Sequence, residues 1–437
     1  MGDQKGGRRA ARSRLPRTFV ADLAAVQGSV VRACGWAVVP SGEVDGSGHV
    51  VGCMLADRTG IVTLLGTGIA PSPGSAIDVV GKAVVDGVTG GAAILVQGLE
   101  VVGPSEPVSP LDAGSTQEQR LDWRYLDLRR RPARLALEVQ TTLERAMRDC
   151  WAVHGFIEIH TPKLMATGPR PEELFRLEYF DRRAWLAQSP QFSKQMAMAA
   201  GLERVFEVGP VFRAEPALDG RHATEFTSVD VEMAWIDAET DVMAFAEEWL
   251  SSAVACVADL HGPRIASDGG APVVVPAAPF PRLSLAEAWA MAQRGGHPGG
   301  GGDLDPQAER LIGEAIASEQ GSELVWITDY PALLRPFYHM VSSEGSPLTR
   351  SFDLLWKGLE VASGAQREHR HERLVAQARS RDLPLEPIAH YLDYFRFGCP
   401  PHGGFGFGLN RLLMCLLGYD DLREVTFLAR DRRRLSP

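Results

Sequence analysis

The chain has 437 residues, enough for two or three domains, and its 45% hydrophobic and 23% charged content is that of an ordinary globular protein, which excludes a collagenous or disordered chain. No apolar run nears the roughly 18 residues of a membrane span and no signal peptide opens the chain, so no membrane partner is expected. A formal net charge of −10 disfavours nucleic-acid binding through a global basic field but leaves local basic stripes open.

The first such stripe opens the chain. Arg8, Arg9, Arg12, Arg14 and Arg17 lie in a Gly/Ala/Ser-rich stretch, so residues 1–16 read as a basic disordered tail, either solvated or a nonspecific RNA-contacting arm. Residues 17–103 are β-like. Valine-rich runs at 30–36, 50–55, 60–65, 77–85 and 93–96 alternate with turn signals, which suggests a five-stranded, nucleic-acid-binding OB barrel. A Pro/Ser/Gly-rich stretch at 103–115 marks a boundary, and 104–130 is expected to be a linker or hinge. Cys34, Cys53, Cys150, Cys256, Cys399 and Cys415 are scattered without a C-x-x-C pair, which rules out a zinc ribbon and favours a reducing cytoplasm.

The longer second part, 131–437, is mixed. Leu135, Leu137, Val139, Leu143, Met147 and Trp151 recur at helical spacing, and a strand-like run follows at 156–159. Another helix is expected at 237–260, a Gly/Pro-rich loop at 295–306, a strand at 352–359, and a Gly-rich strand leading into a helix at 405–417. Strands flanked by helices without regular βαβ alternation predict an α+β domain with a largely antiparallel sheet.

Three clusters carry chemistry. In the first, Arg213 and Glu215 are followed after a short loop by Arg221, His222, Glu225 and Phe226; an arginine can clamp phosphate and a phenylalanine offers a face to a base, although such a hairpin also occurs as a surface ion-pair ladder. In the second, Asp353, Glu360, Ser363 and Arg367 place acids where alternation along strands can bring them together, either to hold Mg²⁺ or as solvated acids. The third is the run of glycines Gly403, Gly404, Gly406 and Gly408, which lets backbone lie close to a ligand, ahead of Arg411. It is not a P-loop, since no G-K-[ST] follows.

Taken in order, Pro162, then Phe-Arg-x-Glu with Arg-His-x-x-Glu-Phe, then the Gly-rich strand with Arg411, resemble the three motifs of class II aminoacyl-tRNA synthetases. The segments 188–195, 358–367, 400–406 and 430–437, together with the barrel, resemble aspartyl-tRNA synthetases of the short archaeal type over about residues 17–437. That resemblance implies an antiparallel class II sheet flanked by helices behind an N-terminal all-β OB barrel, a homodimer with the segment ending at Pro162 at the two-fold, and the substrates ATP, L-aspartate and tRNA. It implies that Arg213 binds the α-phosphate as the catalytic cation, and that Phe226 and Arg411 sandwich adenine, with Glu215, His222, Glu360 and Gly408 completing the ATP site. Asp353, Glu360 and Ser363 would hold Mg²⁺ on the phosphates. Lys194 and Arg367 would read the aspartate side chain, Asp230 and Gln191 would orient them, and Ser189 and Ser363 would complete the amino-acid site.

Four departures from the family pattern stand out. The barrel positions that present Phe, Arg and Gln to the anticodon are here Gly52, Ala56 and Thr63. The acceptor-touching loop of the second motif reads Pro216, Ala217, Leu218, Asp219, Gly220. The loop that closes over aspartate is one residue shorter, at Gly168, Pro169, Arg170, Pro171 and Glu172, and Asn410 replaces the acid before Arg411. The adenylate-forming groups are present while tRNA-reading positions differ. Two functions therefore remain: an aspartate–tRNA ligase with weakened tRNA recognition, and an aspartate-activating paralogue serving a non-tRNA acceptor in biosynthesis or resistance.

Overall fold

The structure, a computed structural model, describes residues 15–38, 53–66, 71–87, 89–166 and 174–436. The chain divides into two compact units, Met1–Arg129 and Arg130–Pro437.

In the first unit, strands β1 (Val30–Val38), β2 (Cys53–Ala56), β3 (Ile61–Leu65), β4 (Ala76–Val85) and β5 (Ala92–Gly103) close a barrel in the order β1-β2-β3-β5-β4. Alternation sends Val31, Ala33 and Ala37 of β1 and Val62 and Leu64 of β3 inward, and a 3₁₀ turn, Val20–Val26, adds the fully buried Leu23 to that core. The expected linker contains two short helices, Gln117–Asp122 and Arg124–Asp127. The first starts where the Thr116 hydroxyl and the Gln119 side chain reciprocally bond each other's backbone N–H. This capping box sits in a stretch whose Pro and Gly content reads as coil. The tail through residue 14, Gly52 and the shortened loop 168–172 lie outside the described residues.

The second unit is built on an eight-stranded sheet. Its strands are β6 (Ile157–Glu158), β10 (Arg204–Phe212), β11 (Glu225–Ala234), β12 (Arg282–Ser284), β13 (Leu324–Thr328), β14 (Ser351–Trp356), β15 (Leu359–Gln366) and β16 (His402–Gly408), in the order β12-β13-β14-β15-β16-β11-β10-β6. Pairing is antiparallel except at the margins, β6–β10 and β12–β13. A smaller three-stranded sheet holds β7 (Leu164–Met165), β8 (Arg176–Tyr179) and β9 (Arg182–Leu186). The helices are α1 (Arg131–Val153), α2 (Gln191–Ala199), α3 (Glu239–Ser267), α4 (Leu285–Arg294), α5 (Pro306–Gln320), α6 (His371–Arg379) and α7 (Leu409–Leu417), with short turns besides. This is an α+β chain with an all-β barrel.

One face of the large sheet is the core. Val229, Val231 and Met233 of β11, Phe405 and Phe407 of β16, and Phe352 and Leu354 of β14 pack beneath α1, α3 and α7. Trp249 of α3 stacks on Phe407 at 5.0 Å between ring centroids and on Phe405 at 6.2 Å. Truncating such a residue to alanine costs about 3–5 kcal/mol. The strand expected at 352–359 is present through Trp356 and then turns at 357–358 into β15. Lys357 (φ 52°) and Gly358 (φ 71°) both take the left-handed conformation of a two-residue turn, which apolar patterning does not reveal.

Candidate active site

The other face of the sheet is polar, and the same alternation makes it so. In β11 the residues between the core valines are Phe226, Ser228, Asp230 and Glu232; in β16 those between the core phenylalanines are Gly404, Gly406 and Gly408. Asp230 pairs across to Gly406, Gly406 to Ser363, and Ser363 to Asp353, so these residues form one transverse row. Glycine is required at 404, where a Cβ would run into the Val231 carbonyl and the Glu232 carboxylate, and favoured at 406, where a Cβ would lie 3.0 Å from Asp230 Oδ1. The floor is therefore low enough for a ligand.

Above it opens a cavity of about 680 Å³. Ser189, Gln191, Lys194, Arg213, Glu215, His222, Phe226, Asp230, Glu360, Ser363, Arg367, Gly408 and Arg411 all line it. Glu360 and Ser363 differ by an odd number of residues, so simple alternation would separate them. A β-bulge opposite Leu354 and Leu355 lets both reach the cavity.

At one end lies a buried ionic lattice. Lys194, carried by α2 and 2% exposed, donates to Asp230 Oδ1 (3.1 Å) and to the Phe405 carbonyl (3.1 Å), and sits 3.3 Å from Glu232 Oε2. Arg367 grips Glu232 through Nε (2.9 Å) and Nη2 (3.2 Å) and donates also to the Gly404 carbonyl. Burial alone would raise the Glu232 carboxyl, but Arg367 and Lys194 outweigh it and hold the group below the usual range. Asp230 accepts a further bond from Ser228 at 2.6 Å. Gln191 does not reach Lys194 or Arg367 in this arrangement; it bonds Gln195 (2.9 Å), which donates to His402 (3.0 Å). Glu232 takes the orienting place that the sequence reading gave to Gln191. Its signal was present, two residues beyond Asp230 on the same strand face.

At the other end are Arg213 and Arg411. Burial first, and then the neighbouring Arg411, depress the Arg213 pKa, so two guanidiniums share a site that favours an anion. Arg213 lies over the Phe226 ring at 5.1 Å, whereas Arg411 is held by the carbonyls of Glu360 (3.0 Å) and Arg221 (3.3 Å), with Arg411 and Phe226 both about 4 Å from where a Cβ on Gly408 would lie. Arg213 is the cation nearest the Phe226 ring. Glu215 accepts from the Ala217 amide, and His222 contacts Asp219 at 2.8 Å, so the loop 216–220 is folded onto itself. The C-terminal stretch braces it, through Arg432 on the Pro216 carbonyl and the Leu422 amide on the Gly220 carbonyl. Asn410 donates to Thr426 at 2.9 Å.

Asp353 stands back from the cavity wall. One of its oxygens pairs with Arg335, and the other is buried without a hydrogen-bond partner. Burial, and after it Asp353, push the Glu360 carboxyl up to about 7. Among the described residues no three His, Cys, Asp or Glu side chains are grouped to hold a metal, so a cation here would have these two carboxylates, a hydroxyl and the ligand's own oxygens.

On the barrel, Ala56 pairs with Trp36 on one side and Ile61 on the other, and Thr63 pairs with Met54. Trp36 is 36% exposed and its ring carries Arg129 at 4.9 Å.

Residues 116–432 match the family model described as tRNA synthetases class II (D, K and N). The chain is 37% identical to an aspartate–tRNA(Asp/Asn) ligase from Aeropyrum pernix and 39% identical to one from Methanopyrus kandleri, in each case over 97% of this chain and 100% of the relative. Its fold matches the asparaginyl-tRNA synthetase of Pyrococcus horikoshii complexed with asparaginyl-adenylate, with a TM-score of 0.86, 28% identity, and coverage of 97% of this chain and 100% of that one.

Proposed function

Because the chain belongs to the class II tRNA synthetases of the D, K and N group, we propose that it activates L-aspartate with ATP and transfers the aspartyl group to tRNA. The observation that carries this reading is the meeting of Lys194, Arg367 and Arg213 in one cavity, two cations at the amino-acid end and one beside the aromatic Phe226. The α-carboxylate oxygen of aspartate attacks the α-phosphorus of ATP, a P–O bond forms, and pyrophosphate leaves with the electron pair of the broken bond. Arg213 stabilises the charge that grows on the α-phosphate, a contribution of about 10²–10³ in rate for one preorganised donor. The 3′-terminal hydroxyl of the tRNA then attacks the carbonyl carbon, and AMP leaves.

Lys194 and Arg367 hold the side-chain carboxylate, Asp230 faces the substrate ammonium, and Ser189 and Gln191 close the amino-acid site. Phe226 offers its face to adenine, with Glu215, His222, Gly408 and Arg411 around the nucleotide. The donor set fits Mg²⁺, since Asp353 keeps an unpartnered buried oxygen and Glu360 and Ser363 line the cavity. Bound there with the nucleotide, Mg²⁺ supplies neutralisation of phosphate charge. The sequence alternative, a non-tRNA acceptor, gains no support from relatives that are tRNA ligases along 97% of this chain.

The proposal includes a homodimer, which the exposed apolar residues Ile157, Leu164 and Trp235 support, and a cytoplasmic location, which six free cysteines support. The test is ATP–pyrophosphate exchange dependent on aspartate, followed by charging of an aspartate tRNA transcript. Exchange with neither aspartate nor asparagine would overturn the substrate; exchange without charging would overturn the acceptor.

A further inference from the structure

His339 does not figure among the groups assigned above, yet it lies at the amino-acid end of the cavity, 4% exposed. Its backbone forms an antiparallel bridge with Arg367, and Gln377 donates to its carbonyl at 3.0 Å, so its position is fixed from two sides. Nη1 of Arg367 stands 3.1 Å from Nε2 of the imidazole. A guanidinium has only donors, so Nε2 must be the acceptor and the ring must be the neutral tautomer with its proton on Nδ1. Burial first, and then Arg367, Arg335, Arg381 and Lys194, hold this imidazole well below the ordinary histidine value, in keeping with that neutrality.

We propose that His339 is a specificity-determining positioning residue, a neutral acceptor that locks the outer edge of the Arg367 guanidinium so that its last free N–H meets the side-chain carboxylate of the amino-acid substrate. The inference rests on the reading of Lys194 and Arg367 as the side-chain pocket. It follows from counting donors. A guanidinium has five N–H bonds. Two go to Glu232, one to Gly404 and one to His339, which leaves a single Nη1 hydrogen. The Lys194 ammonium is already ringed by Asp230, Glu232, and the carbonyls of Val231 and Phe405. It supplies charge but no spare direction, so directional reading falls on Arg367.

The chemistry of position 339 then matters. A carboxylate there would be a second anion on a guanidinium that Glu232 already pairs, and the incoming carboxylate would meet a neutralised fork. An apolar side chain would leave that edge of the fork unheld. A neutral acceptor holds the fork and keeps its charge. Because the remaining hydrogen is a donor, a carboxylate oxygen is accepted in either orientation, whereas an amide must turn its oxygen inward and leave its nitrogen among cations.

The experiment compares the wild type with His339→Leu and His339→Gln in ATP–pyrophosphate exchange, with KM measured for aspartate, asparagine and ATP. His339→Leu is expected to raise the aspartate KM by about tenfold, the scale of one charge-assisted hydrogen bond, to lower the aspartate-to-asparagine ratio of kcat/KM by a similar factor, and to leave the ATP KM within about twofold. His339→Gln, which keeps an acceptor, is expected to stay within about threefold of wild type. An unchanged aspartate KM in His339→Leu, a parallel loss for aspartate and ATP, or a Gln variant as impaired as the Leu variant would overturn the inference. If His339→Leu does not fold, the Gln variant decides alone: loss of the aspartate preference there overturns it. A wild type that fails to exchange with aspartate instead removes the proposed function itself, so the two failures are distinct.

Discussion

Lys194 and Arg367 are each 2% exposed, and Glu232 between them is fully buried. Buried charges survive only in such company, because removing one member leaves another unpaired at a cost of about 3–5 kcal/mol. Lys194→Met is therefore expected to abolish aspartate-dependent exchange and also to lower the melting temperature, since Asp230 and Glu232 lose their shared cation. Exchange at wild-type rate in that variant would show that the lysine does not read the side chain. Arg213 differs because its partners are few and its charge faces the cavity. Arg213→Ala is expected to retain measurable ATP binding while adenylation falls about 10²–10³-fold, as for loss of one transition-state donor; single-turnover kinetics separates the two.

At the scale of the element, β16 does two jobs through one alternation, phenylalanines into the core and glycines under the ligand. Gly404→Ala would push a methyl group into the Val231 carbonyl and the Glu232 carboxylate. The expected cost is about 3 kcal/mol or more, together with loss of aspartate binding, checked by denaturant unfolding and exchange on the same sample. Beside Glu360 and His339, His402 at the start of the strand is one pH-sensitive point. Its Nδ1 hydrogen donates to the Pro400 carbonyl (2.8 Å) while Nε2 accepts from Gln195, and burial drives its pKa down to about 4. The folded value is depressed below the unfolded value of about 6.5. The linked stability is therefore complete above pH 6.5 and is lost as pH falls towards 4, by roughly 3 kcal/mol. Glu360, with its carboxyl raised to about 7, acts in the opposite direction over the same range, so the check is the comparison: from pH 7 to pH 4 the melting temperature of His402→Gln should fall less than that of the wild type.

At the scale of the whole molecule, the question is how tightly the barrel reads tRNA. Base stacking on an aromatic residue is worth roughly 1–3 kcal/mol, and Ala56 and Thr63 on β2 and β3 offer none. Replacing anticodon bases in an aspartate tRNA transcript is therefore expected to lower charging less than about tenfold, under the energy of one stacking contact. A fall beyond a hundredfold would show that other barrel residues read the anticodon. Sedimentation of the chain as a dimer is expected on the same scale, and a monomer would count against the interface around Ile157 and Trp235.

The sequence by itself determined the elements whose side chains alternate or recur. The barrel strands, α1 and the Phe/Gly register of β16 follow from local periodicity, because burial acts residue by residue along a strand or helix, whereas the cation set Lys194, Arg213, Arg367 and Arg411 is what the motif resemblance implies. Tertiary structure alone decided the hairpin at Lys357 and Gly358, the bulge that brings Glu360 and Ser363 to one face, the placing of Glu232 between two cations, and the tautomer of His339. These depend on backbone dihedrals and on partners from 28 to 135 residues away. Their energies arise from desolvation and directed hydrogen bonds, which exist only once distant strands are packed together.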